Sequence, residues 1–168
     1  MRAEAIVFLS VIVSLSLAVV LLAATRAAKS GATSFDIYPV GEVEKRNGEA
    51  ALRIDAKYAD ALDGLDQFSH VWVFYWFDKN DTPEKRRILK VHPRGNSKNP
   101  LTGIFATRAP VRPNLIALTL CKVLSVSGNR VRIDEIDALP GSPVIDLKPY
   151  IPRSDCRPDA TVPAWVNR

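Results

Sequence analysis

The chain has 168 residues, 47% hydrophobic and 24% charged, enough for one domain with its own core. Lys and Arg outnumber Asp and Glu by 23 to 18, a mildly basic balance compatible with nucleic acid but not diagnostic of it. Two cysteines and two histidines with no C-x-x-C pair exclude a zinc-finger pattern and a disulfide scaffold, so no metal site is expected.

Residues 5–24 carry no charge, and at 1.5 Å per residue they reach about 30 Å, the thickness of a bilayer core. The expectation is an N-terminal transmembrane helix within residues 1–30, with a cleaved signal peptide as the alternative. Arg26 and Lys29 flank the run on its C-terminal side, against Arg2 before it. That asymmetry leans toward a single-pass protein whose domain faces the cytoplasm. Residues 31–37 then read as a linker and the start of a strand, and 38–168 as the folded domain with a proline-spaced tail.

Within the domain, residues 35–43 are β-rich, with Pro39 marking an edge or a bulge. Asn47-Gly48 predicts a hairpin into residues 51–55. Tyr58, Leu62 and Leu65 have helical spacing, with Gly64 as a stop. Residues 68–77 form a strongly apolar strand on both faces, expected to be central and buried. Shorter strands follow at 87–91 and 101–107, around a polar loop. Residues 115–126 and 130–137 make a second hairpin about Gly128-Asn129, and 144–150 is the last strand. Cys121 is expected in the core, with a Cys121–Cys156 bridge open only to an exported domain. The fold class is mainly β, an antiparallel barrel or sandwich with one or two short helices.

Residues 105–114, FATRAPVRPN, place Arg108 and Arg112 beside Pro110 and Pro113. Two stiffened guanidinium forks suit an anionic group, and a solvated loop is the plainer reading. Residues 84–98 are rich in Lys and Arg, which fits an RNA contact or a guarded edge strand.

Three segments, DGLDQFSHVWVFYWF (63–77), HPRGNSKNPLTGIFATRAPVRPNLIALTL (92–120) and DALPGSPVIDLKPYIP (137–152), together resemble the TsaA-like (TrmO) family. The resemblance implies a small β-barrel, usually a homodimer, that uses S-adenosyl-L-methionine to methylate N6 of threonylcarbamoyl-adenosine beside the tRNA anticodon. It implies cofactor contacts at Arg108, Arg112, Asn114, Ile116, Ala117 and Leu118. Asp146, Lys148 and Tyr150 would be catalytic, and His70, Lys90, Arg94 and Lys98 would face the RNA. The chain departs from the family pattern at Leu115, where the family has proline, and at Ala117, where it has glycine. Asp78 replaces a histidine, and Pro140-Gly141-Ser142-Pro143 stands for D-G-T-P. The methyl of Ala117 is expected to narrow the cofactor site. A non-catalytic, membrane-anchored binding descendant is the alternative.

Overall fold

The computed structural model describes residues 34–167. Eight strands are formed: β1 (Gly41–Arg46), β2 (Glu49–Ile54), β3 (His70–Trp76), β4 (Lys90–Val91), β5 (Thr102–Gly103), β6 (Ile116–Ser127), β7 (Arg130–Ile133) and β8 (Pro143–Pro149). Six of them close into an antiparallel barrel in the order β1-β2-β7-β6-β3-β8, and β4 and β5 form a separate ribbon.

Period-two alternation builds the barrel. Val71, Val73 and Tyr75 of β3 point inward with Val43, Leu52, Cys121, Val131, Ile133 and Val144. β1 and β2 meet at Asn47-Gly48, both at positive φ (52° and 80°), as the hairpin signal predicts. β6 is long enough to serve two neighbours. Residues 116–122 pair with β3, and from Val123 onward the strand pairs with β7, with a register shift between Val123 and Ser125. The barrel is shut at Gly41, which pairs with both Ile54 and Val144. A side chain there would run into the Arg53 carbonyl and the Ile54 backbone.

Several expectations are revised. Residues 34–40 have no regular structure, and the first strand starts only after Pro39. The segment expected as a helix is two 3-10 turns, Ala56–Leu62 and Leu65–Gln67, separated at Gly64. Only Leu62 of these turns is fully buried, so a single anchor under a short cap replaces an amphipathic α-helix face. Residues 82–86 hold a helical turn that was not anticipated. Thr82 accepts from the Lys85 N–H at 3.3 Å, and Pro83 opens the turn. β3 is central but buried on one face only, because Trp72, Phe74 and Trp76 remain half-buried outside. Cys121 is in the core as expected, and both cysteines are free thiols.

Among the described residues no helix is long and apolar enough to cross a membrane. The apolar run at 5–24 lies outside the described residues.

Candidate functional site

The barrel has two unlike exteriors. Over β1, β2 and β7 lies a charged ladder, Arg53 with Glu42 and Glu44, Arg130 with Glu44, and Arg132 with Glu49. Such a face is content in water. Over β3 and β6 the wall is apolar, with Ile116, Leu118 and Leu120 37–38% exposed beside Trp72, Phe74 and Trp76, and β8 borders it with Asp146 and Lys148. A continuous apolar face of this kind marks a contact surface.

Strand register brings the separate motifs together on that wall. Directly paired residues share a face. Leu118, Phe74 and Asp146 form one row across three strands, and Leu120, Trp72 and Lys148 form the next. With strands ~4.8 Å apart, Leu118 and Asp146 stand about 10 Å apart across Phe74. Lys148 Nζ lies 2.7 Å from Asp146 Oδ2, and the Leu147 N–H donates to Asp146 Oδ1 at 2.9 Å. Tyr150 packs edge-on to Trp72 at 6.0 Å and to His70 at 6.3 Å, and desolvation pushes its hydroxyl pKa up. The Trp72 indole N–H and the Ile151 N–H both donate to Asp155 Oδ2, so the turn Pro152–Asp155 lies over Trp72. The Ile151 N–H is the main cause holding the Asp155 carboxyl below its usual range.

Asp146 also lines a cleft of about 430 Å³ between the 3-10 cap and β8, with Tyr58, Leu62, Leu65, Phe68 and Leu147 around it. Nothing in the sequence patterns pointed to this cleft.

The R-P-N turn sits at the other end of β3. Arg108 is exposed, with no hydrogen bond or ion pair among the described residues. Arg112 is half-buried and donates from Nη1 to the Thr107 carbonyl at 3.4 Å. Asn114 is exposed, Leu115 is fully buried, and the Leu115 carbonyl accepts from the Phe77 N–H at 2.9 Å. Ala117 lies opposite Tyr75 with its methyl inside the barrel, 4% exposed. The methyl expected to narrow the site is therefore on the face of β6 away from Leu118.

A brace that the sequence did not reveal holds this turn. Arg86 donates from Nε to Asp81 Oδ1 at 2.7 Å and from Nη1 to the Pro113 carbonyl at 2.8 Å. The Trp76 indole N–H donates to Asp81 Oδ2 at 3.0 Å, and the Arg86 guanidinium lies 5.4 Å from the Trp76 ring centre. Arg86, then Trp76, lowers the Asp81 carboxyl pKa. The Thr-Pro start of the helical turn was the available signal for Arg86; Asp81 had none.

The expected RNA residues lie on two different elements. Lys90, Arg94 and Lys98 are exposed on the ribbon and its loop, which follow the Trp76 end of β3. His70 opens β3, six residues before Trp76, and is hydrogen-bonded through Nδ1 with Ser69 Oγ. The loop is internally tied by Asn99, whose Nδ2 donates to the Pro93 carbonyl at 2.9 Å and whose carbonyl pairs with His92 Nδ1 at 2.7 Å. Arg94 adopts φ 59° and donates to the Val166 carbonyl. Among the described residues no three His, Cys, Asp or Glu side chains cluster as a metal site.

Comparison with known proteins gives the family. Residues 31–156 match the model of the tRNA-methyltransferase O N-terminal domain. A probable S-adenosyl-L-methionine-binding protein of Methanocaldococcus jannaschii is 45% identical over 118 residues, covering 70% of this chain and 94% of the relative. The human tRNA (adenine(37)-N6)-methyltransferase is 44% identical over 95 residues, 56% of this chain but 21% of the enzyme. The crystal structure of TrmO from Pseudomonas aeruginosa superposes with a TM-score of 0.63 at 26% identity, over 81% of this chain and 63% of that one. The chain thus spans nearly all of the archaeal relative and under two thirds of the solved enzyme. With its barrel, its motifs and the match over residues 31–156 in agreement, the chain belongs to the tRNA-methyltransferase O N-terminal domain family.

Proposed function

We propose that the domain is an S-adenosyl-L-methionine-dependent methyltransferase of tRNA, and that its acceptor is N6 of threonylcarbamoyl-adenosine next to the anticodon. The carrying observation is the row Leu118–Phe74–Asp146, which joins the start of β6 to the D-x-K-P-Y strand on one open wall. The names of the relatives support the cofactor and the reaction class.

The residues fit such a cofactor. Arg108 is a guanidinium with no partner among the described residues, ready for a carboxylate. Ile116 and Leu118 offer an apolar bed, and the exposed Asn114 at the start of β6 offers polar contacts to an adenine edge. When bound, S-adenosyl-L-methionine supplies an electrophilic methyl group. The protein's share is positioning, which can account for much of a displacement reaction's barrier. Asp146 accepts the proton of the acceptor N–H, and Lys148 with the Leu147 N–H holds that carboxylate in one orientation. Tyr150, its pKa raised, stays a hydroxyl donor at neutral pH.

Two further elements belong to the proposal. The apolar wall suits a second copy of the chain, making a homodimer. Residues 5–24 would anchor the protein in a membrane, with the domain in the cytoplasm where tRNA and cofactor are found.

The test is to incubate the full chain in detergent with methyl-labelled S-adenosyl-L-methionine and tRNA, with or without the threonylcarbamoyl group. Label is expected only on the modified tRNA. Label on both would remove the acceptor assignment. Label on neither would remove the enzyme reading.

A further inference from the structure

We infer that Arg86 is a positioning residue for the anionic-ligand loop, and that its double contact to Asp81 and Pro113 sets the conformation in which Arg112, Asn114 and the start of β6 meet their ligand. The inference rests on the proposed cofactor site.

The geometry is that of a two-armed tie. One arm, Nε, is held by the Asp81 carboxylate at 2.7 Å. The other, Nη1, reaches the Pro113 carbonyl at 2.8 Å, 27 residues along the chain. Asp81 is itself fixed, because its second oxygen accepts from the Trp76 indole N–H at 3.0 Å. Trp76 is the last residue of β3 and pairs with Ile116, the first of β6. The tie therefore joins the barrel wall, the helical turn Pro83–Arg86 and the R-P-N turn into one unit.

The choice of residue follows from this. Proline has no N–H, so Pro113 offers only its carbonyl to an anchor. A donor is required, and it must reach a carboxylate and a carbonyl together. A planar guanidinium with five N–H groups can do so, whereas a single ammonium on a flexible stem cannot hold both directions with the same rigidity. The guanidinium also lies over the Trp76 ring, which fixes its plane. Among the described residues no other side chain ties the Pro113 carbonyl. Losing the tie frees the turn while leaving the barrel core untouched, since neither Asp81 nor Arg86 belongs to that core.

The test compares Arg86→Lys and Arg86→Gln with Arg53→Lys in the full chain. Arg53 pairs with Glu42 on the charged far side of the barrel and serves as the control for a merely stabilising ion pair. Amide hydrogen exchange at Phe77, whose N–H donates to the Leu115 carbonyl at 2.9 Å, and the S-adenosyl-L-methionine dissociation constant by calorimetry, are read together. The Arg86 variants should exchange faster at the Phe77 amide and bind about tenfold more weakly, the fold-change of ~1.4 kcal/mol. Arg53→Lys should change neither. Unchanged exchange in both Arg86 variants overturns the inference, as does faster exchange with unaltered affinity. If the unmodified chain does not bind the cofactor, the proposed function fails, and the exchange data still decide whether Arg86 positions the loop.

Discussion

Phe74 and Asp146 face each other across the β3–β8 pairing on the outside of the barrel, and through Phe74 the Asp146 carboxylate is in line with Leu118 of β6. Residues from the second and third sequence motifs, separated by 28 positions, thereby occupy one row.

Replacing Asp146 by Asn preserves shape and removes charge. The pair with Lys148 is exposed on both sides, so it contributes at most ~1 kcal/mol to stability. Melting temperature should hardly move. Methyl transfer to tRNA should fall by about 10²- to 10⁴-fold, the usual share of a general base. A variant with unimpaired turnover would exclude Asp146 from proton removal.

Ala117→Gly introduces the glycine that the family resemblance implies at this position. Because the methyl points into the core opposite Tyr75, the change should leave cofactor affinity unaltered. It should instead lower stability by about 1 kcal/mol, through lost packing and greater chain entropy in the unfolded state. Urea titration with calorimetry on the same protein separates the two effects; tighter binding would show that the strand reaches its ligand differently.

Gly41→Ala tests the barrel seam. The new Cβ would meet the Arg53 carbonyl and lie 2.8 Å from the Ile54 Cα, both backbone and unable to yield cheaply. Overpacking of this kind costs roughly 1–3 kcal/mol or more. Leu52→Ala, at a fully buried site, should cost about 2–5 kcal/mol by leaving a cavity. Both are read from chemical denaturation, and wild-type stability for Gly41→Ala would mean that the seam can open without penalty.

Cys121 is buried, and desolvation raises its thiol from 9.0 to about 12. The folded state therefore holds a proton that the unfolded chain releases first. Stability from this group is complete below pH 9.0 and declines as pH rises toward 12, with a slope approaching ~1.4 kcal/mol per pH unit. Denaturation followed from pH 8 to 11 should show that decline, and Cys121→Ala should flatten it. At neutral pH a thiol reagent should label Cys156 alone, the exposed cysteine.

The barrel was legible because its information is local. Alternation along β3 and β6, Asn47-Gly48 and Gly128-Asn129 each declare themselves within a few residues. The 3-10 cap was not, since Tyr58, Leu62 and Leu65 mimic helical spacing while burial singles out Leu62 alone. The direction of Ala117 depends on the register of β6, which a single strand's composition does not fix. The Asp81–Arg86–Pro113 tie was hidden for a related reason. Arg86 read as one charge in a basic run, and its partner carbonyl carries no sequence signature.

The seam at Gly41 also governs how the domain bears force. β1 meets β8 through two residue pairs, against six between β1 and β2. A pull on the chain from its N-terminal side enters at residue 37 and loads β1 first. The few β1–β8 bonds, including Val40 N–H to the Val144 carbonyl at 2.7 Å and Val43 N–H to the Ser142 carbonyl at 3.0 Å, would part before the longer pairings that β3 makes with β6 and β8. β1 would then peel away from β8 while β2 stays held to β7 through four residue pairs, leaving the β3–β6–β8 wall and its row of functional side chains standing. A protein tethered at that end would carry its mechanical fuse along the edge of the wall that bears its chemistry, at Val144 of the strand that holds Asp146.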